Sequence, residues 1–158
     1  MLCNIRAASF PSKKLDRVLA GQSNWMELKE IESKEDYLLV TLAGQVSFSE
    51  ATLVFTTVRD VATKRGFDKI LVDCLSLRGE LSNFERYELG QALAQHWQKG
   101  LSGIPKIAIV GTPPTINGGA LVASNRGFLA ETFSELPKAL DWLNRFDSEA
   151  KLKTKDSP

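Results

Sequence analysis

Histidine occurs once in the 158 residues, at His96, and cysteine twice, at Cys3 and Cys74. A structural zinc site usually draws four ligands from these types, so a supply of three all but excludes one. With a single histidine, a binding or regulatory domain is favoured over a histidine-dependent enzyme; carboxylate chemistry stays open. A large excess of either charge is also missing. Twenty Lys and Arg against nineteen Asp and Glu leave +1, too little for strong, uniform attraction to nucleic acid or to an anionic membrane. No run of eighteen apolar residues is present, so no transmembrane helix is expected, and the first 25 residues lack an apolar core of signal-peptide length. Two thiols without a signal peptide point to a reducing compartment, hence the cytoplasm.

The familiar catalytic and nucleotide motifs are absent too. The sequence has no Gly-x-x-x-x-Gly-Lys-Ser/Thr and no strand followed by Gly-x-Gly-x-x-Gly. The nearest feature, Gly111 to Gly119, carries Pro113 and Pro114 where a phosphate loop needs free amides. There is no Gly-x-Ser-x-Gly elbow. A serine triad would have to use His96, which helical spacing places beside Ala92 and Leu93 near a helix end, where it caps carbonyls or borders the core. No cofactor and no metal site are expected.

What is present divides into three parts. Residues 1–25 carry Arg6, Lys13, Lys14 and Arg17 against Asp16 alone, a basic leader expected to be flexible, with a short amphipathic helix over 12–20 as an alternative. The last twelve residues, 147–158, balance three Lys with three acids and read as a solvated tail. The whole chain is +1, the leader +3 and the tail neutral, which leaves about −2 for a domain over 26–146.

Within that domain, Met26 to Glu32 alternates apolar and charged residues, and Tyr37 to Ala43 is a β-rich run ending at Gly44; the two predict an antiparallel hairpin. Ser47 or Ser49 caps a helix from about Glu50 to Arg65, with Ala51, Val54, Phe55, Val58, Val61 and Ala62 at spacings of three and four and Gly66 as its stop. Lys69 to Cys74 is a continuous apolar run, as in a strand buried on both faces. Ser82 and Glu85 have the spacing of a capping box, opening a helix to about Lys99 with Leu89, Ala92, Leu93 and Trp97 inward. A second buried strand (106–110), a loop (111–115), a short helix (117–125), a short strand (128–133) and a last helix capped by Ser134 follow, the last helix with Leu136, Ala139, Leu140, Leu143 and Phe146 on one face. The order is ββαβαβαβα, and strands alternating with helices predict one mixed, mostly parallel α/β sheet with helices packed on it.

In open α/β sheets, ligands and partners meet the loops at the carboxyl ends of the parallel strands. Here those loops are Asp73 to Leu81 and Gly111 to Ile116. The first gathers Asp73, Arg78, Gly79, Glu80, Ser82, Asn83, Glu85 and Arg86; the second adds Thr112 and Asn117. Ser82 at a helix start is a candidate phospho-switch, because a phosphate there gains from free amides and the helix dipole. The alternative is that Ser82 is only a cap. A small enzyme using Asp73 and Glu80 is a further, weaker option, as nothing in the spacing makes the two face each other.

The hairpin, the helix and the run Lys69-Ile-Leu-Val-Asp-Cys-Leu-Ser-Leu-Arg-Gly-Glu-Leu-Ser82 resemble the STAS domain group, typified by bacterial anti-sigma-factor antagonists. They are closer to the SpoIIAA-like (STAS/SEC14-like) branch, as are Phe84 to Gly90, Asn125-Arg-Gly-Phe128 and Ala139-Leu-Asp-Trp-Leu143. The resemblance covers about 26–146. It implies a non-enzymatic domain that binds a protein partner or, as the alternative, a small lipid or other apolar ligand, with no nucleic acid and no integral membrane association; a homodimer is compatible with it. It also implies a phosphorylated serine at the second helix, which by position is Ser82. The antagonists carry Asp-Ser-Ser-Gly there, whereas this chain has Leu81-Ser82-Asn83-Phe84, without the acid and the glycine and with a bulky Phe84 in their neighbourhood.

Overall fold

The computed structural model describes residues 25–97, 105–117 and 129–155. Five strands form one sheet in the order β1 (Glu27–Ser33), β2 (Leu38–Gln45), β3 (Lys69–Arg78), β4 (Lys106–Val110) and β5 (Leu129–Phe133). β1 runs antiparallel to β2, and the other three pairings are parallel. The helices are α1 (Phe48–Arg65), α2 (Asn83–Trp97) and α3 (Leu136–Lys155). The mixed α/β sheet is the one predicted; the helix expected over 117–125 falls mostly outside the described residues.

Side-chain alternation along β3 builds two cores. Ile70 and Val72 point to one face and pack with Ala51, Val54 and Val58 of α1 and Leu38, Val40 and Leu42 of β2. Leu71 points to the other and packs with Ala108 and Val110 of β4 and Ala139 and Leu143 of α3. All thirteen of these positions are essentially sealed from solvent, so the first half of β3 is buried on both faces, as its unbroken apolar sequence predicts. Phe133 and Trp142 extend the α3 face, with ring centroids 5.8 Å apart.

The helix ends follow from local chemistry. Ser47 accepts a hydrogen bond from the Glu50 amide at 3.4 Å, so α1 starts at Phe48, ahead of the Glu50 expected. Gly66 takes φ 76°, and the Phe67 amide donates back to the Ala62 carbonyl at 2.9 Å, a left-handed helix stop. On α2 the inward set is Leu89, Leu93 and Ala94; Ala94 is buried where Ala92 was expected, and the Trp97 side chain lies outside the described part. The α3 start corrects the sequence reading: Glu135, not Ser134, immediately precedes its first residue, and the Ala139 amide donates to the Glu135 carbonyl. The α3 backbone also continues past Phe146 to Lys155.

A second correction bears on function. β3 was expected to end at Cys74 and give way to a loop; it continues to Arg78. Its pairing with β2 slips between Thr41–Asp73 and Ala43–Ser76, so β3 carries one extra residue there. The inserted residue flips the alternation. Leu75 is half exposed while Leu77 returns to the α1/α2 core.

Three described glycines take positive φ: Gly44 (102°) near the end of β2, and Gly66 and Gly79 just past the ends of α1 and β3. A Cβ on Gly66 would meet open space, whereas one on Gly79 (φ 88°) would meet the Gln45 side-chain amide. Because that amide is the free end of a flexible side chain, Gly79→Ala and Gly66→Ala are each expected to cost about 1 kcal/mol, the left-handed strain alone. Denaturant unfolding checks this; a Gly79→Ala loss of about 3 kcal/mol or more would show that Gln45 is fixed in place.

Candidate functional site

The β3 extension delivers the chain to the carboxyl edge of the sheet in a defined conformation. The Asp73 carboxylate accepts the Leu75 amide at 2.9 Å, tying down the slip. The Arg78 carbonyl accepts the Val46 amide at 2.8 Å, which fastens the far end of β3 to the residue after β2. Gly79 then turns the chain, and Leu81 is buried just before α2.

Ser82 and Glu85 make the capping box in full. The Ser82 hydroxyl oxygen accepts the Glu85 amide at 3.2 Å, and the Glu85 carboxylate accepts the Ser82 amide at 2.8 Å. The Ser82 amide, aided by the Ser82 side chain, holds the Glu85 carboxyl below its ordinary range. A depressed carboxyl stabilises the folded state above the ordinary carboxylate pKa, and that contribution disappears as pH falls through the lowered value.

Arg86 organises the rest of the loop. Its guanidinium donates to the Glu80 carboxylate at 2.8 Å and to the Asn83 side-chain carbonyl at 3.3 Å. The second loop is fastened to the first by Thr115, whose hydroxyl donates to the Gly79 carbonyl at 2.7 Å. Gly111 makes that approach possible: a Cβ there would lie 2.5 Å from Ile116 and 3.3 Å from Cys74.

Of the residues singled out in the sequence, Gly79, Glu80, Ser82, Asn83 and Arg86 form one connected cluster. Asp73 is engaged separately at the strand slip, so the two carboxylates Asp73 and Glu80 have different partners. Arg78 and Thr112 are exposed, and Asn117 sits at the end of the Thr115 turn. His96 lies away from this edge. Its Nε2 is 3.1 Å from Asp60 of α1, an inter-helix contact rather than a carbonyl cap. No group of three or more His, Cys, Asp or Glu side chains able to hold a metal occurs among the described residues.

Sequence reasoning missed two features. The exposed aromatics Phe84 and Tyr87 lie three residues apart on the first turns of α2, 71% and 52% exposed, with the Tyr87 hydroxyl accepting from Gln91. The second is a cavity of about 140 Å³ under the first turns of α1 and α2, lined by Cys74, Leu77, Leu89 and Ile109 among others. A signal for the cavity wall existed: apolar residues at 70, 72 and 74 give way to 77, a break in period-two parity that marks a bulge.

No family model and no curated protein matches the chain. Among solved structures, the crystal structure of an anti-sigma factor antagonist from Mycobacterium paratuberculosis is similar, with a TM-score of 0.54 at 13% identity, covering 78% of this chain and 97% of that one. The NMR structure of the protein TM1081 aligns at a TM-score of 0.47 and 15% identity, over 75% of this chain and 90% of that one. The first of these likenesses shows that the chain shares the fold of that antagonist, the STAS/SpoIIAA-like fold expected from the sequence. No helix among the described residues is long and apolar enough to cross a membrane.

Burial pushes the Cys74 thiol up to about 12, with a smaller contribution from the Asp73 charge. At pH 8 in native buffer the Cys74 peptide should stay unmodified by iodoacetamide, and it should label fully in denaturant; peptide mass spectrometry reads both. Rapid native labelling would mean that the cavity wall opens to solvent.

Proposed function

We propose that this chain is a cytoplasmic, non-enzymatic regulatory domain that docks a protein partner through the start of α2 and is switched by phosphorylation of Ser82. The observation that carries this reading is the pair Phe84 and Tyr87, large aromatics held out to solvent immediately after an exposed, capped serine. Aromatic side chains ringed by polar groups are the usual energetic centres of protein interfaces, and here Glu80, Asn83 and Arg86 form the polar surround. The similarity of fold to an anti-sigma factor antagonist supports a regulatory role of this kind. The working unit is residues 26–146, with Arg78 and Thr112 at the rim of the docking surface.

The switch follows from the capping box. A phosphate on Ser82 would carry close to two negative charges to within hydrogen-bond reach of the first-turn amides, which favour it, and of the Glu85 carboxylate, which does not. Glu85 would have to leave the Ser82 amide, so phosphorylation would remodel the first turn that presents Phe84. The lipid-carrier alternative fits less well. Ligand pockets for drug-sized molecules run from roughly 300 Å³ upward, and the α1/α2 cavity is about 140 Å³.

Three substitutions separate cap from switch. Asn and Asp are both good N-caps, whereas Ser82→Ala should cost about 1 kcal/mol of stability. Affinity capture from the native host with the full chain is expected to retain one specific partner with Ser82→Asn and to lose it with Ser82→Asp and with Phe84→Ala/Tyr87→Ala. Retention of the same partner by all the variants would place the docking surface elsewhere.

A further inference from the structure

The cavity under α1 and α2 lies where an open α/β sheet meets its ligands, at the carboxyl ends of β2, β3 and β4. Its floor is Cys74 and Leu77 of β3 and Ile109 of β4, and its roof is Phe55 of α1 with Leu89 and Leu93 of α2. Small residues on both helices leave the space open: Ala51 in the first turn of α1, and Gly90 in the middle of α2, where glycine is a poor helix former. The volume of about 140 Å³ is close to the dry apolar cavity of roughly 150 Å³ that takes up benzene in a well-studied host. The space therefore suits one six-membered ring.

The lining has a single charged side chain among the described residues, Arg86. Its guanidinium is only slightly exposed and is aimed by two contacts, to Glu80 and Asn83. Glu80 is half exposed and is free to swing into water. Thr115 and Asn117 add polar groups to the lining. An apolar body with one arginine in its lining, its guanidinium held by Glu80 and Asn83, matches an apolar ring bearing one carboxylate, since arginine receives carboxylates through paired hydrogen bonds.

We infer that the α1/α2 cavity binds a small aromatic monocarboxylate, its ring among Cys74, Leu89 and Ile109 and its carboxylate on Arg86 in place of Glu80. This site shares Glu80 and Arg86 with the proposed docking surface, but it can be assayed on the purified chain with no partner present, so the two readings fail separately. Glu80 acts as the built-in competitor: with the site empty it satisfies Arg86, and a ligand carboxylate must displace it. Both carboxylates cannot occupy the same guanidinium face.

The test is titration of the full-length chain with 4-fluorobenzoate, followed by ligand fluorine NMR and calorimetry. Saturable binding at or below millimolar concentration is expected, with fluorobenzene at least about tenfold weaker, as for loss of a charged hydrogen bond. Arg86→Gln should weaken 4-fluorobenzoate by a similar factor and leave fluorobenzene unchanged. Glu80→Gln should tighten 4-fluorobenzoate several-fold, an effect a merely structural Glu80 would not produce. Ala51→Leu and Gly90→Leu, each filling the cavity from a different helix, should abolish binding of both probes; if one of them fails to fold, the other decides. Absence of saturable binding, or binding that survives the cavity-filling variants, overturns the site. Equal affinity for the two probes with no effect of Arg86→Gln overturns the carboxylate assignment.

Discussion

Strand β3 is buried on both faces, with Ile70 and Val72 against α1 and Leu71 against α3. Strand β4 does the same, with Ile107 on the α1/α2 side and Ala108 and Val110 against α3, so the two cores are joined through these central strands. Each sealed aliphatic side chain contributes roughly 1.5–3 kcal/mol of transfer free energy, and three neighbouring positions of β3 supply that to opposite layers. The parallel pairing with β2 and β4 then fixes where all carboxyl ends emerge, which is why the Val46, Gly79 and Gly111 turns meet at one edge.

The same strand also creates the irregularity on which the site depends. Had β3 kept strict alternation past Cys74, Leu75 and Leu77 would both lie on the α3 side with Leu71, and Ser76 would face the α1/α2 core. The extra residue reverses this, and Asp73 secures it through the Leu75 amide. Leu77 thereby becomes cavity wall, and the Arg78 carbonyl is placed to hold Val46. A bulge in this position works as a re-aiming device, and the polar cluster around Arg86 is downstream of it.

Much of this was legible in the residues. The Lys69 to Cys74 run named a two-faced strand, the α1 spacings named their helix, and Ser82 with Glu85 named a capping box that the structure contains atom for atom. These are local signals, carried by period and by side-chain chemistry. The length of β3 was not legible, because Ser76 and Arg78 look like loop residues until β2 is known to pair with them. Glu135 taking the place before α3 was hidden for a related reason: serine is the better cap in isolation, and only the docking of Ala139 and Leu143 sets where that helix begins. The cavity required knowledge of which side chains from four separate segments face one another, and no single stretch of sequence carries that. The exposure of Phe84 belongs to the same class; composition marks it as apolar, and only the absence of a neighbour over it makes it a surface feature.

The Ser82–Glu85 box also has a kinetic meaning. The hydroxyl oxygen is engaged with the Glu85 amide, and the backbone of Ser82 is held by the Glu85 carboxylate. An enzyme modifying that oxygen needs the segment extended in its own cleft, so the first turn of α2 must unwind before transfer. On the proposed reading the helix start would act as a latch: phosphorylation would require the turn to open, which breaks both the Ser82 and the Glu85 hydrogen bonds of the box. Acidification would loosen the latch by neutralising Glu85, and if a partner docks on Phe84 as proposed, it would hold the turn closed, so docking and access to the hydroxyl would oppose each other.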